Sequence, residues 1–135
     1  MANIVSGIKW SGAAIAGLFS WLYGGLDMLL AVLIACMVID YITGVLAAGY
    51  TQTLDSRVGF KGILKKVVIL AIVALGSLLG QVLGHATIRD VVIGFYIANE
   101  GISILENAGR MDVPVCKSLT KFLEQLKSED DDHKE

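Results

Sequence analysis

Acidic and amide side chains stand in this sequence where their neighbours are apolar. Residues 95–109 read FYIANEGISILENAG, so the carboxyl groups of Glu100 and Glu106 sit beside Asn99, Ser103 and Asn107. Residues 26–49, LDMLLAVLIACMVIDYITGVLAAG, hold Asp40 with Thr43 three residues on. Such groups in apolar surroundings bind an ion or proton, hydrogen-bond between helices, or wet a surface that faces water. At helical spacing Asn99, Ser103, Glu106 and Asn107 follow steps of four, three and one. Glu100 lies three residues before Ser103, and the set reads as one polar stripe. Asp40, Thr43, Gly44 and Ala47 share a face in the same way. Spacing leaves two uses open, packing inside one bundle or a wettable face that lines a hole. No Ser/Cys–His–Asp grouping, phosphate loop or metal-ligand cluster is visible. His85 and His133 fall in a loop and a tail, and Cys36 and Cys116 form neither a metal motif nor a disulfide framework. The chain is therefore expected to be no enzyme and to need no cofactor.

The elements that must carry these residues are apolar helices. The 135 residues are 55 % hydrophobic, with 13 acids, 11 Lys and Arg, and a formal net charge of −2; mean hydropathy is +0.67. Soluble domains need more charged surface than that. Three runs, at about 26–49, 63–84 and 88–108, are long enough to span a bilayer, which takes roughly 20 helical residues. The third is the most polar. A shorter run at 11–23, ending in aromatics suited to the headgroup zone, is a short transmembrane or an interfacial helix. No cleavage site follows it, and it is expected to stay on the protein. In the second run Gly76, Gly80 and Gly84 recur every four residues, a ridge on which another helix approaches closely, within the chain or between copies.

Charge sets the expected orientation. Seven of the 13 acids and five of the 11 basic residues follow residue 109. Arg57, Lys61, Lys65 and Lys66 cluster in the loop after the first long run, whereas the loop after the second holds only His85 and Arg89. Lys and Arg mark the cytoplasmic side, so that first loop and the C-terminus are both expected there. After Pro114, Val115, Leu119, Phe122, Leu123 and Leu126 recur at helical spacing, which predicts an amphipathic helix. From Ser128 the SEDDDHKE run has no apolar residue and is expected to be unstructured. The expectation is an all-α membrane protein: an N-terminal helical segment (1–25), a transmembrane domain (26–109) and a cytoplasmic amphipathic tail (110–135). Nucleic acid is not an expected partner. A monomer of three or four spans has too few helices to enclose a wide pore, so a polar face argues for self-association in the bilayer.

These residues carry a family resemblance. Asp40-x-x-Thr43-Gly44-Val45-Leu46-Ala47-Ala48 is followed by Ser56-x-x-Gly59-x-x-Gly62-x-x-Lys65-Lys66, by Phe95-Tyr96-Ile97-Ala98-Asn99-Glu100, by Ser103-Ile104-Leu105-Glu106-Asn107 and by Val113-Pro114. In that order, from about residue 27 to 127, the chain resembles the bacteriophage holin family, which includes toxin-secretion holins of clostridia. The resemblance implies a homo-oligomer in the bacterial inner membrane that opens large lesions, through which endolysin reaches the cell wall or a toxin leaves the cell. The methionine after Met1 is Met28, inside the first long run, so any antiholin is expected to be a separate protein. A small ion channel or transporter subunit, and a membrane scaffold, remain as other readings.

Overall fold

The computed structural model describes residues 1–131, with five α-helices and no strand among them. They are α1 (Ala2–Tyr23), α2 (Met28–Tyr50), α3 (Ser56–Leu83), α4 (Thr87–Arg110) and α5 (Lys117–Asp131). Four boundaries have a local cause. Asp27 caps α2 by accepting a hydrogen bond from the Leu30 N–H at 3.0 Å. Asp55 caps α3 by accepting from the Arg57 N–H at 2.9 Å. Gly24 and Gly84 end α1 and α3 in the left-handed region, at φ 72° and 71°, where a side chain is costly.

Helix α4 is the centre of the bundle. It lies along α2 and also packs on α3 and α5, while α1 packs on α3. The core comes from one stripe on each of three helices: Leu30, Leu33 and Met37 of α2, Ile69 and Val73 of α3, and Ile93 of α4. The recurrences of three and four are those of a helix with one face turned inward. Only the end of α1 joins this core, through Phe19 and Tyr23. The Gln81 amide also donates to the Trp21 carbonyl at 3.0 Å. Residues of α1 from Asn3 to Leu18 are exposed.

Three expectations change. Helices α2 and α3 are long and apolar enough to cross a bilayer. Helix α4, expected as a third such span, has the length but not the composition, because Arg89, Asp90, Glu100, Glu106 and Arg110 dilute its apolar residues. The N-terminal segment is longer than its apolar run suggested, a single 22-residue helix. The tail differs too: Ser128 and the three residues after it continue α5 rather than ending order, since α5 is already propagating when the acidic run begins. Residues 132–135, including His133, lie outside the described residues. The turn after α2 and the end of α4 meet at one end of the bundle, where the Tyr50 hydroxyl donates to Asp112 at 3.0 Å.

Candidate functional site

The polar residues of α2, α3 and α4 prolong the core stripes. On α2, Asp40 follows Met37 by three. On α3, Lys66 precedes Ile69 by three. On α4, Glu100 and Asn107 follow Ile93 by seven and fourteen. Seven residues turn a helix through nearly two full revolutions, so all three of these α4 positions face the same way. The apolar core therefore gives way, toward the end carrying Arg57 and Arg110, to a polar layer facing the same interior.

In that layer the Lys66 ammonium bridges two carboxylates. Its Nζ lies 2.7 Å from Asp40 Oδ2 and 2.5 Å from Glu100 Oε2. The Lys66 and Asp40 side chains are 13 % and 12 % exposed, and Glu100 is wholly buried. The Asn107 amide donates to Asp40 Oδ1 and to Thr43 Oγ1, each at 3.1 Å. The Thr43 hydroxyl in turn donates to the Asp40 carbonyl at 3.1 Å. Glu100 Oε1 is buried with no hydrogen-bond partner among the described residues. One cation against two carboxylates leaves the cluster a formal −1. Burying such charges is costly unless they are paired, and the pairing here spans three helices. A crevice of about 200 Å³ reaches the cluster, lined among others by Asp40, Tyr41, Lys66, Ser103, Asn107 and Arg110.

The structure sorts the residues singled out from sequence. Asp40, Thr43, Glu100 and Asn107 come together, and Ser103 lines the crevice beside them. Asn99 is half-buried and joins no part of this network. Glu106 is exposed. Six residues at 100° each carry it about 120° from Glu100, so the two carboxyl groups do not share one stripe. Gly44 lies against Asn107, whose Nδ2 is 3.5 Å from where a Cβ would stand. Of the glycine ridge, Gly76 admits Val92 of α4, and a Cβ at Gly80 would stand 2.8 Å from the His85 carbonyl. Gly84 packs against nothing and serves as the left-handed cap. The ridge is used inside the chain, to bring the α3–α4 turn close. Arg57, Lys61 and Lys65 are exposed on α3 itself rather than in a loop, because the helix begins at Ser56. Lys66 is the exception among the four basic residues, turned inward to the cluster.

A second polar tie, not anticipated from sequence, closes the other end. Arg89 pairs with Asp27 through two nearly parallel contacts, Nη1 to Oδ2 at 2.8 Å and Nη2 to Oδ1 at 3.0 Å. Its Nε donates to the Tyr23 carbonyl at 2.6 Å, and Nη1 also meets Asp90 Oδ1 at 2.9 Å. The guanidinium and then the Leu30 N–H hold the Asp27 carboxyl down at about 2. The planar fork suits this job, since it satisfies a carboxylate and a backbone carbonyl together. Asp27 directly before the apolar run of α2 was the available signal.

Comparison with known proteins agrees with the sequence resemblance. A protein of Halalkalibacterium halodurans is 44 % identical over 129 residues, which is 91 % of this chain and 96 % of that protein. A Listeria innocua protein is 49 % identical over 106 residues, 78 % of this chain and 76 % of its own length. A 14.9 kDa protein of Clostridium perfringens is 38 % identical over 128 residues, 93 % of this chain and 97 % of its own. No solved structure matches the chain. The bacteriophage holin family model matches residues 17–128, across all three helices that build the charged cluster, and the chain belongs to that family.

Proposed function

We propose that the protein is a phage-type holin. It gathers in the bacterial inner membrane, associates with copies of itself, and opens lesions wide enough for a folded endolysin to pass to the cell wall. The observation that carries this reading is the Asp40–Lys66–Glu100 cluster. It lies near the middle of α2, roughly 18 Å from Met28 and 15 Å from Tyr50 at 1.5 Å per residue. In this reading α4 is the third crossing. Its composition alone would not carry it into lipid, but Glu100 pairs with the Lys66 ammonium that it shares with Asp40, and Arg89 is held by Asp27. The end bearing Arg57, Lys61, Lys65 and Arg110 is the cytoplasmic one, which puts the C-terminus inside the cell. Endolysin, or a toxin in a related export role, is the cargo, and any antagonist is a separate protein.

The crevice reaching Asp40 and Lys66 favours a second reading, a small ion channel or transporter subunit. Expression in bacteria that carry a folded cytoplasmic reporter enzyme separates the two. A holin releases the reporter to the medium abruptly once enough protein has gathered. A channel collapses ion gradients and retains the reporter, and that outcome overturns the holin reading.

A further inference from the structure

We infer that α5 is a removable cover on α4: docked over the Gly101 face it blocks that face, and displaced from it in a bilayer it leaves the face to a helix of a second copy. The inference rests on α4 crossing the membrane, as proposed above. Helix α5 runs back along α4. Its Leu123 is six residues into the helix from Lys117, and it meets Gly101, nine residues before the end of α4 at Arg110. A Cβ on Gly101 would stand 3.0 Å from Leu123 Cδ1 and 3.3 Å from Cδ2, so the missing side chain makes this seat. Gly101 directly follows Glu100, whose carboxylate pairs with Lys66 at the middle of the bundle. The contact therefore places Leu123 at bilayer mid-depth when α4 crosses.

That position suits water and not lipid. Lys121, Glu124 and Lys127 lie within four residues of Leu123, about 6 Å along the helix, and stay within the hydrocarbon when Leu123 is at its middle. Charged side chains at mid-bilayer are expensive unless they are paired. No hydrogen bond or ion pair joins α5 to another helix among the described residues; its side-chain bonds, from Thr120 to the Cys116 carbonyl and from Ser128 to the Gln125 carbonyl, are local. Apolar contact holds it, and incompletely: Leu119, Phe122 and Leu126 remain 46 %, 56 % and 36 % exposed. Those three side chains suit the boundary between headgroups and acyl chains, with the lysines among the headgroups. The face left behind is built for a helix. Gly101 is the seat itself, and Ala98 and Gly94 continue its face at steps of three and four, a Cβ at Gly94 meeting nothing within 4 Å even with α5 docked; close approach at such residues is how helices associate in lipid. Every copy that loses its cover presents this face, so a second copy meets a matching partner.

The test ties α5 down. In the full chain with Cys36→Ala and Cys116→Ser, Gly101→Cys and Leu123→Cys are joined as a disulfide in dilute detergent. The protein is then placed in vesicles loaded with fluorescent dextran. The expected result is at least tenfold slower dextran release from the oxidised protein, with crosslinking that stops at the monomer, and recovery of both on reduction with dithiothreitol. Equal release before and after reduction overturns the cover while leaving the holin reading intact. If the cysteine-free parent releases no dextran, the holin reading fails, and the position of α5 is decided separately. For that a nitroxide is attached at Lys121→Cys in the Cys36→Ala, Cys116→Ser protein in vesicles, so that it sits at one position. Relaxation by a water-soluble nickel chelate is the expected outcome, and relaxation by oxygen at hydrocarbon depth overturns the displacement of α5.

Discussion

Replacing Lys66 by methionine removes the cation from the cluster and keeps most of the stem. Asp40 and Glu100, at 2.7 and 2.5 Å from the ammonium, then lose their paired cation, while the Asn107 amide still donates to Asp40. Breaking a buried pair by removing one partner costs about 3–5 kcal/mol. Two unpaired carboxylates priced separately at mid-bilayer come to about 5–7 kcal/mol on insertion scales, an upper bound because Asp40 keeps its amide. The expected loss is the lower figure, about 3–5 kcal/mol, or two to nearly four powers of ten in the unfolding equilibrium. Adding Asp40→Asn and Glu100→Gln to Lys66→Met removes every charge while holding shape, and most of the loss should return. Reversible unfolding in bicelles, followed by steric trapping or by helical circular dichroism in a detergent titration, measures each variant. A Lys66→Met protein within about 0.5 kcal/mol of the parent, the range of an ordinary surface change, would refute the buried pairing. So would a triple variant no more stable than the single one.

Three other outcomes are expected. Arg89→Met frees the α1–α2 turn from α4 and lowers stability by about 2 kcal/mol, within the ordinary range for lost charge-assisted hydrogen bonds. The pH profile checks the same clamp: because Asp27 is depressed from 3.8 to about 2, its contribution is complete above pH 3.8 and disappears as pH falls toward 2, a slope that Arg89→Met should flatten. Gly80→Ala puts a Cβ 2.8 Å from the His85 carbonyl, so the α3–α4 turn should shift at a cost of about 1–3 kcal/mol. Thermal melts read that cost; crosslinking ladders that weaken with no stability loss would instead place the glycine between copies. Cys116 is exposed, and the Leu119 and Ser118 N–H groups hold its thiol below the usual range. A membrane-impermeant maleimide should label it in inverted vesicles and spare it in intact cells, and labelling of intact cells before lysis would reverse the proposed orientation.

The elements were legible because their signals are local. Apolar runs placed α2 and α4 within about two residues, whereas α1 and α3 begin nine and seven residues ahead of their runs, and the acids on α2 and α4 stood out against their neighbours. What sequence did not give was direction. Lys66 counts as one of four basic residues beside a turn, and that count says nothing of which way a side chain on α3 points. Its burial is fixed by α2 and α4, which bring Asp40 and Glu100 to it from 26 and 34 positions away along the chain. Arg89 was hidden in the same way, its partner Asp27 lying 62 positions off. Glu106 shows the opposite error, in which nearness along the chain suggested a shared face that helical rotation separates. The α4–α5 seat depends on Leu123 finding Gly101, a pairing no periodicity specifies.

The placement of charge has a consequence for opening. On the proposed crossing, Glu106 lies four residues from the end of α4, roughly 6 Å in, close enough to the headgroups to point outward. The mid-depth charges Asp40, Lys66 and Glu100 instead face one another within one chain, with one formal negative charge and Glu100 Oε1 left over. The closed monomer thus shows lipid few polar groups at mid-depth, Asn99 being half-buried. A water-filled lesion needs polar walls, and the groups that would supply them face each other between α2, α3 and α4. If the chain opens lesions as proposed, α4 must part from α2 and α3, so that Lys66 exchanges its carboxylate partners for water. That exchange is ruinous for one copy in lipid, where the separated charges would meet hydrocarbon. On the same proposal it becomes feasible when many copies part together around a common aqueous space, and the cluster that ties the three helices in one chain would then make opening collective.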